Sequence, residues 1–180
     1  MSEQSATLVR PTPALEAAFR AMVADYAAAG EDRYQSIPEL DRGDFAGYVR
    51  RLREESRGAG LPTGYVPQST WWLVGDGGQV LGVSRLRHRL NDHLRVTGGH
   101  IGYDVPPSRR RRGCGRRLLA LTLAEARARG IRRALLTCLD DNAASARIIE
   151  ANGGALQDVI HSEEIGGPLR RYWIDLGETP

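Results

Sequence analysis

The feature that most constrains this chain is the passage from residue 101 to residue 130, IGYDVPPSRRRRGCGRRLLALTLAEARARG. A strand-like run ending at Val105 stops at Pro106 and Pro107, which cannot donate to a sheet ladder. Four arginines, Arg109 to Arg112, then lead into Gly113-Cys114-Gly115. An amphipathic helix follows at once, with Leu118, Leu119, Thr122, Leu123 and Ala126 on one face and Gly130 at its end. Strand, glycine turn and helix in such close succession demand an α/β or α+β layer arrangement, with the helix covering the sheet that the strand joins. They also set a helix N-terminus, with unpaired amides and a partial positive charge, at the exit of a strand.

Such a turn suits an anion. Gly113 and Gly115 carry no side chain to keep a phosphate from the main chain, and arginine adds bidentate contacts to phosphate oxygens. The turn is not a Walker A loop, since no Gly-Lys-Ser/Thr follows. Nor is it the dinucleotide fingerprint, since the third glycine is missing and the loop after the strand is too wide. From the residues alone, two readings compete: a solvated basic cluster that touches nucleic acid, and a cradle for one polyphosphate. Composition argues against the first. Every one of the 25 Lys+Arg residues is arginine, yet 22 acids reduce the formal charge to +3. No aromatic residue interleaves with Arg109 to Arg117, so neither a diffuse basic surface nor a base-stacking platform is expected.

The remaining chain alternates between periods. ATLVRP reads as a first strand. ALEAAFRAMVADYAAAG and DFAGYVRRLREESRG read as helices around the acidic loop EDRYQSIPELDRGD, and AGLPTGYVPQS reads as a surface loop. STWWLVGDGGQVLGVSRLRHRL reads as a hairpin on a Gly-Gly turn, with one tryptophan of Trp71-Trp72 inward and the other outward. GGHIGYDV is a further strand. After the long helix come a strand RRALLTCL, a helix DDNAASARIIEANGG capped by Asp141 or Asn142, and two strands, ALQDVIHSEE and LRRYWIDL. The order describes one domain over residues 1–180, an α/β or α+β fold on a mixed central sheet of about seven strands flanked by about four helices. Cys114 and Cys138 form no disulfide framework, and no metal-ligand spacing is present. The N-terminus lacks a signal-peptide pattern and no apolar run reaches membrane-spanning length, so a cytoplasmic protein without membrane contact is expected.

Two motifs then give a specific resemblance. Arg110-Arg111-Arg112-Gly113-Cys114-Gly115 resembles the Arg/Gln-x-x-Gly-x-Gly/Ala signature of the GNAT superfamily of N-acetyltransferases, and it stands between the fourth strand and the third helix, as in that family. Asp141-Asn142-Ala143-Ala144-Ser145-Ala146-Arg147 with Asn152-Gly153-Gly154 resembles the family's second motif, an asparagine at a helix start and a glycine turn after it. RHRLN and GGHIGY are also similar to a bacterial subgroup known mostly as predicted acetyltransferases.

The resemblance implies acetyl-CoA as co-substrate, no metal, and direct transfer to an amine on a small molecule, peptide or protein. It implies no nucleic-acid partner and a monomer or a homodimer. Strands four and five would splay to admit the pantetheine arm like an added strand. Main-chain amides from Arg111 to Arg116 would bind the pyrophosphate, with the side chains of the arginine run steering the polyanion. Tyr103, Asp104 and Val105 would line the arm, the Val105 amide would meet the thioester carbonyl, and Asn142 and Ser145 would lie beside it. Cys114 would be a packing residue of the turn. The acceptor-side elements would fall at roughly 12–70 and the acetyl-CoA core at roughly 95–154. Acidic residues Glu31, Asp32, Glu39 and Asp41 would attract a cationic amine.

One position departs from the family. The tyrosine that many members carry seven residues after the asparagine, as proton donor to the thiolate, is Ile149 here. Either Ser145, a water or a tyrosine from elsewhere takes its place, or the thiolate leaves unprotonated. His100 is the candidate base, on the same strand face as Gly102 and Asp104 and opposite Tyr103, because its ordinary pKa suits the role. The alternative reading is a coenzyme A-binding sensor or partner module that has lost catalysis.

Overall fold

The computed structural model describes residues 5–177. The alternating stretches fold as β1 (Thr7–Val9), β2 (Gln68–Val74), β3 (Val80–Arg87) and β4 (Ile101–Asp104), an antiparallel sheet in the order β1-β2-β3-β4. The β2–β3 hairpin turns at Gly77-Gly78, and Gly78 has φ +75, a conformation that L side chains rarely adopt. A second antiparallel sheet holds β5 (Arg133–Leu139), β6 (Ala155–Ser162) and β7 (Gly167–Asp175) in the order β5-β7-β6. The seven strands and the parting of the fourth from the fifth are as expected. The central sheet is therefore in two antiparallel pieces, because no ladder joins β4 to β5.

Each long helix is where its apolar stripe puts it. α1 (Glu16–Ala28) and α3 (Phe45–Glu55) cover one face of the first sheet, packing Phe19, Met22, Tyr26, Phe45, Tyr48 and Leu52 against Trp72 and Val83. Asp44 starts α3 by accepting a hydrogen bond from the Gly47 amide at 2.8 Å. α5 (Cys114–Ala128) and α6 (Ala143–Glu150) take the other side. Leu118 and Cys114 of α5 meet Leu73 and Leu81, while Leu119, Leu123 and Ala126 join Ile149 of α6 and Leu136 and Tyr172 of the second sheet. The long α5 thus ties both sheets together. Thr122, on its apolar face, is fully buried but satisfied by the Ser84 hydroxyl at 2.7 Å.

Two short helices exceed the four expected. α2 (Pro38–Asp41) sits inside the acidic loop with Pro38 at its first turn, and α4 (Asp92–Val96) is capped by Asn91, which accepts from the Leu94 amide at 2.8 Å. Of the tryptophan pair, Trp72 is fully buried while Trp71 faces outward under the Arg10 guanidinium, 4.5 Å from its ring centroid. No helix among the described residues is long and apolar enough to cross a membrane.

Candidate active site

The turn between β4 and α5 owes its shape to left-handed backbone. Arg111 has φ +58 and Gly113 φ +86, and Gly113 is the N-cap of α5 without any side-chain cap. The main chain there curls into a concavity that runs into the first-turn amides of a 15-residue helix, and no acid occupies that first turn. The two glycines serve different ends. A Cβ on Gly113 would meet nothing within 4 Å, so glycine is there for its φ and leaves the approach open. A Cβ on Gly115 would lie 2.7 Å from Ile148 Cδ1, so that glycine lets α5 close on α6. Amide donors, a helix dipole and open space fit a diphosphate.

The arginine run is less free than its sequence suggests. Arg110 donates to both Glu31 oxygens, at 2.6 and 2.7 Å, and to the Val105 carbonyl at 3.0 Å. The hydrogen bond from Arg110 holds the Glu31 carboxyl below the usual range. Glu39 is likewise bound by Arg51 at 2.7 Å. The expectation that Glu31 and Glu39 attract a cationic amine is corrected accordingly: each already has its guanidinium. Asp32 and Asp41 lie exposed. Arg112 and Arg116 are exposed and Cys114 is buried in the turn's packing.

A cleft of about 580 Å³ opens beside this turn, between β4 and α6. Eight of the residues expected at the cofactor line it: Tyr103, Asp104, Val105, Arg110, Arg111, Gly115, Asn142 and Ser145. Asn142 caps α6 through its Oδ1, which accepts from the Ser145 amide at 3.0 Å. The Tyr103 hydroxyl lies 2.9 Å from Ser145 Oγ. Burial pushes that phenol up to about 12, against a smaller downward pull from Ser145. Ile149, at the family's tyrosine position, is fully buried in the core and faces no solvent. Arg33, Ala144 and Ile148 also line the cleft; Ala144 falls within the second motif, while nothing in the local sequence marked Arg33 or Ile148.

The Asp104 side chain turns the other way, into a buried network that spans four separate elements of sequence. Its Oδ1 accepts from Tyr26 at 2.9 Å and Tyr34 at 2.6 Å; its Oδ2 accepts from Arg85 Nη1 at 2.8 Å. Arg85 Nη2 also donates to the Tyr34 hydroxyl at 3.0 Å. Burial, and then the Asp104 charge, raise the Tyr26 phenol. Burial alone would lower the Arg85 pKa, but Tyr34 and Asp104 outweigh it and the guanidinium stays charged. The available signal was Arg85 itself, an arginine inside an otherwise buried strand.

His100 is elsewhere. Its amide donates to the Leu135 carbonyl at 2.7 Å and its Nδ1 accepts from the Leu135 amide at 2.9 Å, so the residue clasps β5. Burial, with Arg95 and Arg87 nearby, lowers its pKa to about 4. The expectation of a catalytic base at His100 is corrected on both counts: the ring lines no part of the cleft and its accepting nitrogen is in use. Among the described residues no group of three or more His, Cys, Asp or Glu is arranged to hold a metal ion.

A sequence profile described as "Acetyltransferase (GNAT) family" matches residues 34–153. No curated protein matches the sequence. Solved structures do match in fold. The microcin C7 self-immunity acetyltransferase MccE, in complex with acetyl-CoA and AMP, superposes with a TM-score of 0.69 at 14% identity, covering 96% of this chain and 93% of that one. An acetyltransferase from Salmonella typhimurium that modifies the N-terminal serine of ribosomal protein L7/L12 gives 0.67 at 19%, covering 96% and 95%. The putative acetyltransferase yncA from the same organism, with acetyl-CoA, gives 0.63 at 19%, covering 98% and 96%.

Proposed function

The chain belongs to the acetyltransferase (GNAT) family, and on that premise we propose that it transfers the acetyl group of acetyl-CoA directly to a primary amine. The observation that carries the proposal is the turn at Gly113: left-handed, uncapped, free of acids in its first turn and open on its outer side. Structures of the same fold hold acetyl-CoA, which supports the assignment of this cleft to it.

The residues divide the work. Main-chain amides from Arg111 to Arg116 bind the diphosphate, Gly113 keeps the approach clear while Gly115 lets α5 close on α6, and Arg111 and Arg112 attract the polyanion. Val105, Asn142 and Tyr103 line the arm, the Val105 amide being the donor for the acyl oxygen. Acetyl-CoA supplies an activated acyl group as a thioester. A buried phenol raised to about 12 keeps its proton at neutral pH, so Tyr103 Oη holds the proton that the leaving sulfur requires. Ser145 orients that hydroxyl. This gives Tyr103 the part that the family tyrosine plays elsewhere and that Ile149 cannot. The acceptor enters from the elements of residues 12–70, over the Asp104 network.

Acetyl-CoA is expected to raise the melting temperature of the protein, and Gly113→Glu, which puts a carboxylate into the cradle, to abolish that rise. An unchanged melting temperature at saturating acetyl-CoA would overturn the assignment. The second reading, coenzyme A binding without transfer, is favoured by the buried Ile149. Release of free thiol with any member of a broad amine panel excludes it.

A further inference from the structure

We infer that the acceptor carries a carboxylate beside its amine and that Arg87 receives it. The inference rests on the acetyl-transfer reading above and names the acceptor class for that same site. A second cavity, of about 640 Å³, lies across the Arg85–Asp104 pair from the coenzyme cleft: Arg85 lines this cavity and Asp104 lines the cleft. The pair is their common wall. A volume of this size suits a small molecule.

Two arginines two residues apart on β3, and so on one face of the strand, line the cavity. Their electrostatic situations differ. Arg85 is answered by Asp104. Arg87 Nη1 donates to the carbonyls of Gly98 at 3.0 Å and Gly99 at 3.1 Å, both neutral, and among the described residues no ion pair reaches it. Burial, with Arg85 near, lowers its pKa. A half-buried guanidinium without a counter-charge is a cost to the fold, and it is relieved by a bound anion. The Nε and Nη2 donors remain for that anion, in the fork geometry that matches a carboxylate. The rest of the wall offers little competition. Gln68 donates to Glu55 and Asn91 to the Gly64 carbonyl, while Glu164, the one acid of the lining, is exposed at the rim near His93. Arg87 and Arg85 stand roughly 7 Å apart along the strand. A carboxylate on Arg87 therefore sets an amine a few bonds away against the Arg85–Asp104 wall, next to the cleft.

The test uses the full chain and a panel of free amino acids, each paired with its decarboxylated amine, with thiol release as the readout. Amino acids are expected to show at least a tenfold higher kcat/KM than their paired amines. Arg87→Gln should raise their KM at least tenfold without moving the KM for acetyl-CoA. Because Arg87 also holds two carbonyls, Thr63→Asp serves as a second variant: it adds a negative charge at an exposed position of the same lining and should weaken amino acids while sparing plain amines. Equal use of the paired amines, a preference for aminoalkyl phosphonates, or an amino-acid preference unmoved in both variants would overturn the inference. Should no amine turn over, calorimetric titration of the same pairs into the coenzyme A-loaded and the free protein decides it: a tenfold binding preference for the amino acids supports the inference, and no preference or no binding overturns it. A missing melting shift with acetyl-CoA would instead refute the acetyl-transfer reading, and the titration would still score the carboxylate site.

Discussion

Asp104→Asn is the substitution whose consequence follows most directly from the structure. The carboxylate is nearly buried, with 5% of its side chain exposed, and Arg85 retains 30%. Asparagine can keep the Oδ1 role, accepting from Tyr26 and Tyr34. Its amide nitrogen, however, then points two hydrogens at Arg85 Nη1, which now donates from 2.8 Å away. The variant thus removes one charge and leaves the other partly desolvated opposite a donor. Breaking a buried pair in this way costs about 3–5 kcal/mol; the partial exposure of Arg85 places the expectation at the lower end, roughly 3 kcal/mol. In a chain of this size each kcal/mol moves the melting temperature by about 2–4 °C, so a fall of roughly 6–12 °C is expected. Urea denaturation of the single variants Asp104→Asn and Arg85→Gln and of the double variant completes the cycle. The double variant should lose at least about 1 kcal/mol less than the sum of the singles, since it strands no charge. A loss under about 1 kcal/mol for Asp104→Asn, or strict additivity, would show that water already screens the pair.

Other expectations follow from single observations. The His100 ring titrates near 4 in the fold against about 6.5 unfolded, so its neutral form is favoured; the stability it contributes is full above pH 6.5 and drains as pH falls toward 4. His88, lowered to about 4 by burial and then by Arg129 and Arg10, acts in the same direction. Denaturation midpoints across that window should therefore fall with acid, and His100→Asn should flatten the slope; an unchanged slope would exclude the buried His100 ring as its source. Tyr103→Phe should lower kcat by roughly 10²-fold while the acetyl-CoA melting shift stays intact, whereas loss of the shift would mean that the hydroxyl serves binding. Gly113→Ala has room for its methyl but not for its φ of +86, and should cost about 1 kcal/mol by urea denaturation. Glu31→Gln opens an ion pair that is largely solvated and should change the midpoint by less than about 1 kcal/mol; a larger loss would mark the pair as a structural tie between the α1 end and the phosphate turn.

Much of this architecture is written in short-range pattern. The stripes on α1, α3 and α5 and the alternation in β2 and β3 are legible because each element buries one face, and a stop such as Pro106-Pro107 or a cap such as Asn142 acts within a few residues of itself. The four-residue and five-residue helices are not legible: neither carries a full stripe, and each forms because its neighbours fix its ends. The Asp104 network has no local signature at all, since residues 26, 34, 85 and 104 come together only after α1, the following loop, β3 and β4 have packed.

The gap between β4 and β5 shows how a motif can be visible while its cause is not. GGHIGY was legible as a phrase, yet the residues of β4 and β5 give no sign of pairing or parting. The structure supplies the reason in a glycine and a histidine. Gly99 has φ +61, and a Cβ there would stand 2.3 Å from the Leu135 carbonyl oxygen, so only glycine lets the two backbones touch at this point. His100 then fixes the contact from both its amide and its ring. Beyond that clasp no ladder forms, and Tyr103 reaches across the opening to Ser145 on α6. Any larger residue at position 99 must push β5 away at this contact. Gly99→Ala is therefore expected to destabilise the whole chain and to loosen acetyl-CoA binding together, although it lies outside the cleft; a variant that melts lower yet binds acetyl-CoA with unchanged affinity would show that the clasp does not set the width of the opening.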